Sequence, residues 1–182
     1  MRDILRLGLK LLIISAVGGL ALGLTNAVTE GPIAAQQVAA ADEARKQVLP
    51  GAETFEALDA VEGLDEAHAG RDGSGALIGL TGKITAQGYG GPIEVTVGVD
   101  KNGVITGVSV GGADFKETAG LGARTKEPWF AEQFAGKTAP VQLKQDGGEI
   151  DAVASATISS SAVTQAVDAA AAALAAAMQG VQ

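Results

Sequence analysis

The segment DAVASATISSSAV, residues 151–163, surrounds one threonine, Thr157, with serine hydroxyl groups and small side chains. Residues 159–161 are all serine, a residue type that favours the start of a helix, and an alanine-rich sequence follows at once. We therefore expect a helix from about Ser160 to Met178, with Thr157 at or just before its N-terminus. The free N–H groups and partial positive charge of such an end stabilise an anion, above all a phosphate.

The small residues before Thr157 would let a bulky group approach the backbone, because Ala154, Ser155 and Ala156 offer little steric hindrance. From the residues alone two interpretations stay open. The hydroxyl groups cap the helix and do nothing more, or the segment seats a phosphate. The pattern does not decide whether such a phosphate would be covalently bound.

The totals exclude several other chemistries. The net charge of −8 argues against nucleic-acid binding, which needs a basic face. The sequence has no cysteine, which removes disulfides, thiolate nucleophiles and cysteine metal ligands, and its one histidine, His68, has no second histidine to complete a site. We therefore expect no cysteine or histidine site and no metal site.

The N-terminal region predicts a membrane anchor. Residues 11–29 carry no charge, and about 20 apolar residues suffice to cross a bilayer. Three basic residues and one acidic residue precede this stretch, so the positive-inside rule places the N-terminus in the cytoplasm and the remainder outside. A cleaved signal peptide is the alternative, with a small-residue site at 25–27, but the apolar run is long for one.

The elements that must position Thr157 follow from patterning. Alternating apolar residues around an Asn-Gly turn predict a β-hairpin over 92–110, after a strand at 76–87. Residues 128–135 predict a short helix with Trp129, Phe130 and Phe134 packed inward. The other expected elements are a helix over 30–49 with Pro32 in its first turn, an acidic loop over 51–75, a loop over 111–127 and a strand over 139–144.

The segment DAVASATISS resembles the flavinylation motif of the FMN-binding domain family, approximately Asp-x-x-Ser/Thr-Gly-Ala-Thr-x-Ser/Thr. The matching residues are Asp151, Ala156, Thr157 and Ser159, whereas Ala154 replaces a hydroxyl residue and Ser155 replaces glycine. In that family FMN is joined through its phosphate to the threonine, which implies covalent FMN on Thr157. The resemblance also implies that Asp151 positions the threonine or binds a metal used during attachment.

Further segments resemble the same family in the same order. They are GYGGPIEVTVGVDKNGVITGV and KETAGLGARTKEPWFAEQFAGK. The resemblance implies that the second segment contacts the flavin ring. The complete cofactor site implied by the resemblance is Glu117, Thr118, Gly120, Leu121, Gly122, Asp151, Ser155, Ala156, Thr157 and Ser159.

The family resemblance also implies a fold and a function. The fold would be α+β, with a single transmembrane helix followed by one extracytoplasmic FMN-binding domain of antiparallel strands and flanking helices. The expected division is 1–29 for the cytoplasmic N-terminus and anchor, 30–75 for a juxtamembrane helix and acidic loop region, and 76–182 for the FMN-binding domain.

Within this family the sequence resembles the G subunits of Rnf-type complexes, which implies an electron-transfer subunit of an ion-translocating ferredoxin:NAD oxidoreductase in the cell (inner) membrane. Its expected partners are the other subunits, a flavin transferase and the lipid bilayer. Three alternatives remain: a flavoprotein like the C subunits of sodium-pumping NADH:quinone oxidoreductases, an anchored assembly module that has lost its flavin, and a secreted binder.

Overall fold

The computed structural model describes residues 2–181. The chain forms two compact units, Met1–Ala41 and Asp42–Gln182. One long helix, α1 (Arg2–Val48), accounts for the first unit and contributes its last turns to the second.

The helix of the first unit carries no charged side chain over residues 11–29. The Leu, Ile and Val side chains between Ile4 and Val28 are 52–74% exposed, and the helix is long and apolar enough to cross a bilayer. The sequence predicted a separate helix with Pro32 in its first turn, but α1 runs through Pro32 without a break. An interior proline removes one backbone hydrogen bond, which a helix of this length tolerates.

The second unit is built on one antiparallel sheet whose strands follow each other in chain order. The predicted strand and hairpin are confirmed, and Asp100 fixes the hairpin turn by accepting the backbone N–H groups of Asn102 at 2.8 Å and Val104 at 2.9 Å. The strands are β1 (Thr54–Ala57), β2 (Glu66–Arg71), β3 (Leu77–Gln87), β4 (Pro92–Asp100) and β5 (Ile105–Gly111).

The prediction of an acidic loop over residues 51–75 is wrong, because this stretch contains β1 and β2. The residues of β2 that face the core are Ala67 and Ala69, which are too small to produce a visible apolar alternation. His68 lies opposite Thr81 of β3 and is partly buried, not solvated on a loop as the composition indicated.

A C-terminal helix, α3 (Thr157–Val181), packs on one face of the sheet through contacts with β3 and β4. Although it is long and apolar enough to satisfy a membrane-span criterion, its buried residues belong to the core of the second unit. The C-terminal end of α1 lies against the opposite face, where a Cβ atom at Gly107 would come within 2.9 Å of Val48 Cα. Because the glycines of this face have no side chain, the end of α1 can lie directly against the sheet.

A short helix, α2 (Pro128–Ala131), confirms the predicted helix after Pro128 and continues as a 3₁₀ turn, Glu132–Phe134. Phe130 and Phe134 are fully buried, but the prediction that Trp129 packs inward is wrong, since it is 37% exposed. Its indole N–H donates to Glu127 at 2.5 Å. The predicted strand over 139–144 is also absent from the described residues, where Leu143 and Ile150 form only an isolated bridge.

Candidate functional site

Thr157 is the first residue of α3, so the helix begins three residues earlier than predicted. The residue before it is Ala156, which has no side-chain acceptor to cap the helix. Within residues 2–181 the N–H groups of Thr157, Ile158 and Ser159 make no hydrogen bond to protein. These three donors are available to an anion beside the Thr157 hydroxyl group.

Ser160 does not cap the helix but ties the preceding turn to it. Its buried hydroxyl oxygen accepts the N–H of Val153 at 3.0 Å and donates to the carbonyl oxygen of Ala156 at 3.0 Å. The turn between them places Ser155 at φ 61°, the left-handed region in which glycine is least strained. This geometry fits the glycine that the resembled motif has at the position of Ser155.

A cleft of about 420 Å³ opens at the start of α3. It brings together eight of the ten predicted site residues, and these come from two segments more than 30 positions apart. The lining residues are Tyr89, Glu117, Thr118, Leu121, Gly122, Ser155, Ala156, Thr157, Ile158 and Ser159.

Ser159 brings an unpartnered hydroxyl group to this cleft. The residue is 1% exposed, and its Oγ atom has no hydrogen-bond partner among the described residues. A buried hydroxyl group without a partner is costly, so such a group in a cleft wall indicates a bound polar ligand. The free N–H groups at the helix start are therefore the sign of an anion site, whereas the Ser159 hydroxyl group is a sign of a polar ligand in general.

Glu117 forms part of the cleft wall rather than projecting into open space. Its Oε1 atom accepts the N–H of Gly90 at 3.0 Å, and its Oε2 atom is buried without a partner in the described residues. A Cβ atom at Gly88 or at Gly122 would overlap the carboxylate. These two glycines are needed because the Glu117 carboxylate lies between them.

Two predicted site residues do not line the cleft. Gly120 occupies a turn at φ 78°, with open space where a Cβ atom would lie. Asp151 directs its carboxylate to Lys144 at 2.7 Å, while its N–H donates to Gln133 at 2.7 Å. The Asp151 side chain is exposed and lies at the surface beside the turn before α3.

The sequence reasoning did not single out two residues of the cleft, Tyr89 and Ile158. Both are large apolar side chains that are mostly exposed, 74% and 59% respectively. Tyr89 belongs to the Gly-Tyr-Gly-Gly-Pro-Ile segment of the family resemblance, which was the available signal. The ten lining residues include no lysine, arginine or histidine, so backbone groups and hydroxyl groups supply the donors.

Comparison with known proteins gives a consistent answer. The FMN-binding domain family matches residues 88–172, which include every residue that lines the cleft. The G subunit of the Na(+)-translocating ferredoxin:NAD(+) oxidoreductase complex of Acetobacterium woodii is 37% identical over 91% of this chain and 88% of its own. The G subunit of the ion-translocating oxidoreductase complex of Methanosarcina acetivorans is 33% identical over 91% of this chain and 92% of its own.

The fold is also that of a solved structure. The crystal structure of NqrC from Shewanella oneidensis matches with a TM-score of 0.50 at 18% identity, over 75% of this chain and 74% of the other. At that identity the match concerns the fold alone. The agreement of the relatives over nearly the whole length shows that the chain belongs to the family of G subunits of ion-translocating oxidoreductase complexes, with an FMN-binding domain at residues 88–172.

Proposed function

We propose that this protein is the membrane-anchored electron-transfer subunit of an ion-translocating ferredoxin:NAD oxidoreductase complex and carries FMN esterified to Thr157. The observation that carries the proposal is the position of Thr157 on the lining of the cleft, at an uncapped helix N-terminus beside the unpartnered Ser159 hydroxyl group. The names of its relatives supply the complex.

The described residues fit the phosphate of FMN. Three backbone N–H groups at the start of α3 are free, and Ser159 offers a buried hydroxyl group next to them. The cleft of about 420 Å³ also lies within the range of roughly 300 to 1,000 Å³ that is usual for cofactor sites. Its apolar rim of Leu121 and Ile158 suits the flat flavin ring.

The same residues favour a covalent bond, because the phosphate contacts alone contribute little to binding. A helix N-terminus contributes only about 0.3 to 2 kcal/mol to the binding of an anion. Micromolar binding requires about 8 kcal/mol, and no cationic side chain lines this cleft. A flavin outside the cytoplasm that dissociated would be lost, whereas an ester to Thr157 retains it and leaves the ring free.

In the attachment step a flavin dinucleotide would donate the flavin phosphate. The Thr157 oxygen would form the P–O ester bond as the P–O bond between the two phosphates breaks, the nucleoside monophosphate would leave, and the hydroxyl proton would pass to solvent. The product gains the mass of FMN less one water. A flavin transferase would carry out this step, and Asp151 is exposed at the surface beside the turn, where the transferase or its metal can reach it. When bound, FMN supplies reversible electron transfer. The chain holds the phosphate, covers the ring and needs no catalytic acid or base.

The proposed topology has one membrane-spanning helix, a cytoplasmic N-terminus and the FMN-binding domain on the extracytoplasmic side. Its support is the excess of basic over acidic residues before the apolar run and the exposed apolar surface of α1. Because the sequence has no cysteine, single cysteines at Asp3 and Ser74 can be labelled with a membrane-impermeant maleimide in intact cells. Labelling at Ser74 alone is expected. Labelling at Asp3 alone would reverse the topology.

The attachment is tested by producing the full chain together with a flavin transferase and measuring its mass. The wild-type chain and Thr138→Ala are expected to gain FMN less one water, because Thr138 is exposed and does not line the cleft. Thr157→Ala is expected to gain nothing. A wild-type chain without the mass gain would favour an assembly module that has lost its flavin, and a gain retained in Thr157→Ala would refute the attachment site.

A further inference from the structure

Four large apolar side chains in the described part of the second unit are more than one third exposed. They are Tyr89 at 74%, Ile158 at 59%, Leu121 at 40% and Trp129 at 37%. Three of the four line the cleft, and only Trp129 does not. Exposed apolar groups that converge on one site indicate a ligand with an apolar face. Tyr89 is the only aromatic residue among the three.

The loop that carries Tyr89 is shaped by its contacts with the next wall of the cleft. Gly88 donates its N–H to the carbonyl oxygen of Gly91 at 2.9 Å, which closes a tight turn around Tyr89. A Cβ atom at Gly90 would overlap the backbone carbonyl of Lys116. The glycines on both sides of Tyr89 therefore allow the loop to press against the segment at 116–117.

The Glu117 carboxylate is the side-chain link between these walls. One oxygen accepts the N–H of Gly90, directly after Tyr89, while the carboxylate fills the space beside Gly88. The other oxygen lies against Gly122, where a Cβ atom would also be 2.8 Å from Ser159 Oγ. Glu117 thus joins the Tyr89 loop to the turn at Gly122, and Gly122 in turn lies close to Ser159 of α3.

We propose that Glu117 is a positioning residue that holds Tyr89 at the mouth of the cleft, where the tyrosine ring covers the flavin ring. The inference rests on the proposed flavin site but assigns Glu117 a different role from direct contact with the ring. Aromatic rings gain energy by offset or edge-to-face contact, and an exposed loop presents such a ring only if its backbone is fixed. The hydrogen bond to Gly90 fixes this backbone, and it requires an acceptor oxygen at the end of the side chain of residue 117.

The first test measures quenching of flavin fluorescence by iodide in the full-length flavinylated chain in detergent at constant ionic strength. Tyr89→Ala and Glu117→Ala are each expected to raise the quenching constant about twofold to tenfold, the range that corresponds to one aromatic contact. The double variant should add little more. Trp129→Ala, an exposed aromatic residue outside the cleft, should match the wild type.

Glu117→Gln separates position from charge. It loses the negative charge but keeps an oxygen that can accept the N–H of Gly90, so its quenching should remain at the wild-type value. If Glu117→Gln and Glu117→Ala raise the quenching constant equally, the charge of Glu117 and not its position is the cause, and the proposal fails. It also fails if Tyr89→Ala leaves quenching unchanged, or if Glu117→Ala does so while Tyr89→Ala raises it.

A second measurement needs no flavin. Tyr89 is the only tyrosine in the sequence, so labelling with fluorotyrosine gives one ¹⁹F resonance. In the Thr157→Ala background, adding Glu117→Ala should move this resonance toward the position of free fluorotyrosine, and adding Glu117→Gln should not. An unchanged resonance in Glu117→Ala would overturn the positioning role. An unflavinylated wild-type chain would instead refute the proposed function, and the covering of the ring with it.

Discussion

Replacing Ser160 by alanine tests how the turn before α3 is held. The substitution removes two hydrogen bonds of 3.0 Å and leaves the N–H of Val153, a residue 1% exposed, without its acceptor. A buried donor left without a partner costs about 1 to 3 kcal/mol. We expect the free energy of unfolding to fall by about 2 kcal/mol. The hydroxyl group is small, so the loss of packing adds little.

The neighbouring serine supplies the control. Ser161 is only partly buried, and its hydroxyl group accepts a hydrogen bond from the exposed Gln165 side chain at 2.8 Å, so Ser161→Ala should change stability by less than about 0.5 kcal/mol. Urea unfolding of the full chain in detergent, followed by the fluorescence of Trp129, measures both. The midpoint for Ser160→Ala should be lower by about 1 M at an unchanged slope. Equal midpoints for the two variants would refute the reasoning.

Three further predictions concern the sheet and the cleft. Because Ser155 has φ 61°, Ser155→Gly should be more stable than Ser155→Ala by about 1 kcal/mol and should unfold at a higher temperature. The reverse order of melting temperatures would show that the backbone at residue 155 is not strained. A hydrogen bond from Lys83, together with Arg45, holds the pKa of Glu66 below its ordinary value of 4.5. The unfolded chain therefore binds more protons than the folded chain, and the stabilisation of the folded chain is lost as the pH falls through the folded pKa. Glu66→Gln should therefore lower the melting temperature at pH 7, through a loss of no more than about 1 kcal/mol of stability for a pair this exposed. The difference from wild type should shrink as the pH falls below 4.5 towards the lowered pKa of the folded chain. Gly122→Ala should lower the free energy of unfolding by about 1 to 3 kcal/mol, because the new Cβ atom meets the Glu117 carboxylate. Gly180→Ala has no atom near its new Cβ and should not lower the melting temperature in the same thermal scan.

The sequence identified those parts of the fold whose pattern is local. The alternation of apolar residues in β4, with the Asn-Gly turn after it, predicts the hairpin because period and turn chemistry agree. The sequence did not reveal β2, because its core-facing positions are occupied by alanine and glycine, which are too small to give a pattern of alternating apolar residues. The start of α3 was misplaced because the serines that look like caps lie inside the helix, and two of them, Ser159 and Ser160, are buried there.

The residues of the cleft were largely predictable, but their contacts were not. The motif around Thr157 and the Glu-Thr-x-Gly-Leu-Gly segment indicated eight of the lining residues. The position of the Glu117 carboxylate between Gly88 and Gly122 depends on packing between segments far apart in the chain. Asp151 was expected beside the threonine, but an ion pair with Lys144 directs it elsewhere.

The central claim is that Thr157 carries the flavin, and the most direct measurement is made on the protein isolated from its own membrane. After unfolding and proteolysis, the peptide that contains Thr157 is analysed by mass spectrometry with fragmentation. The account predicts a yellow peptide that is heavier by FMN less one water, with the added mass on Thr157. A colourless peptide of unmodified mass, from a sample known to have matured in its own cell, would contradict it.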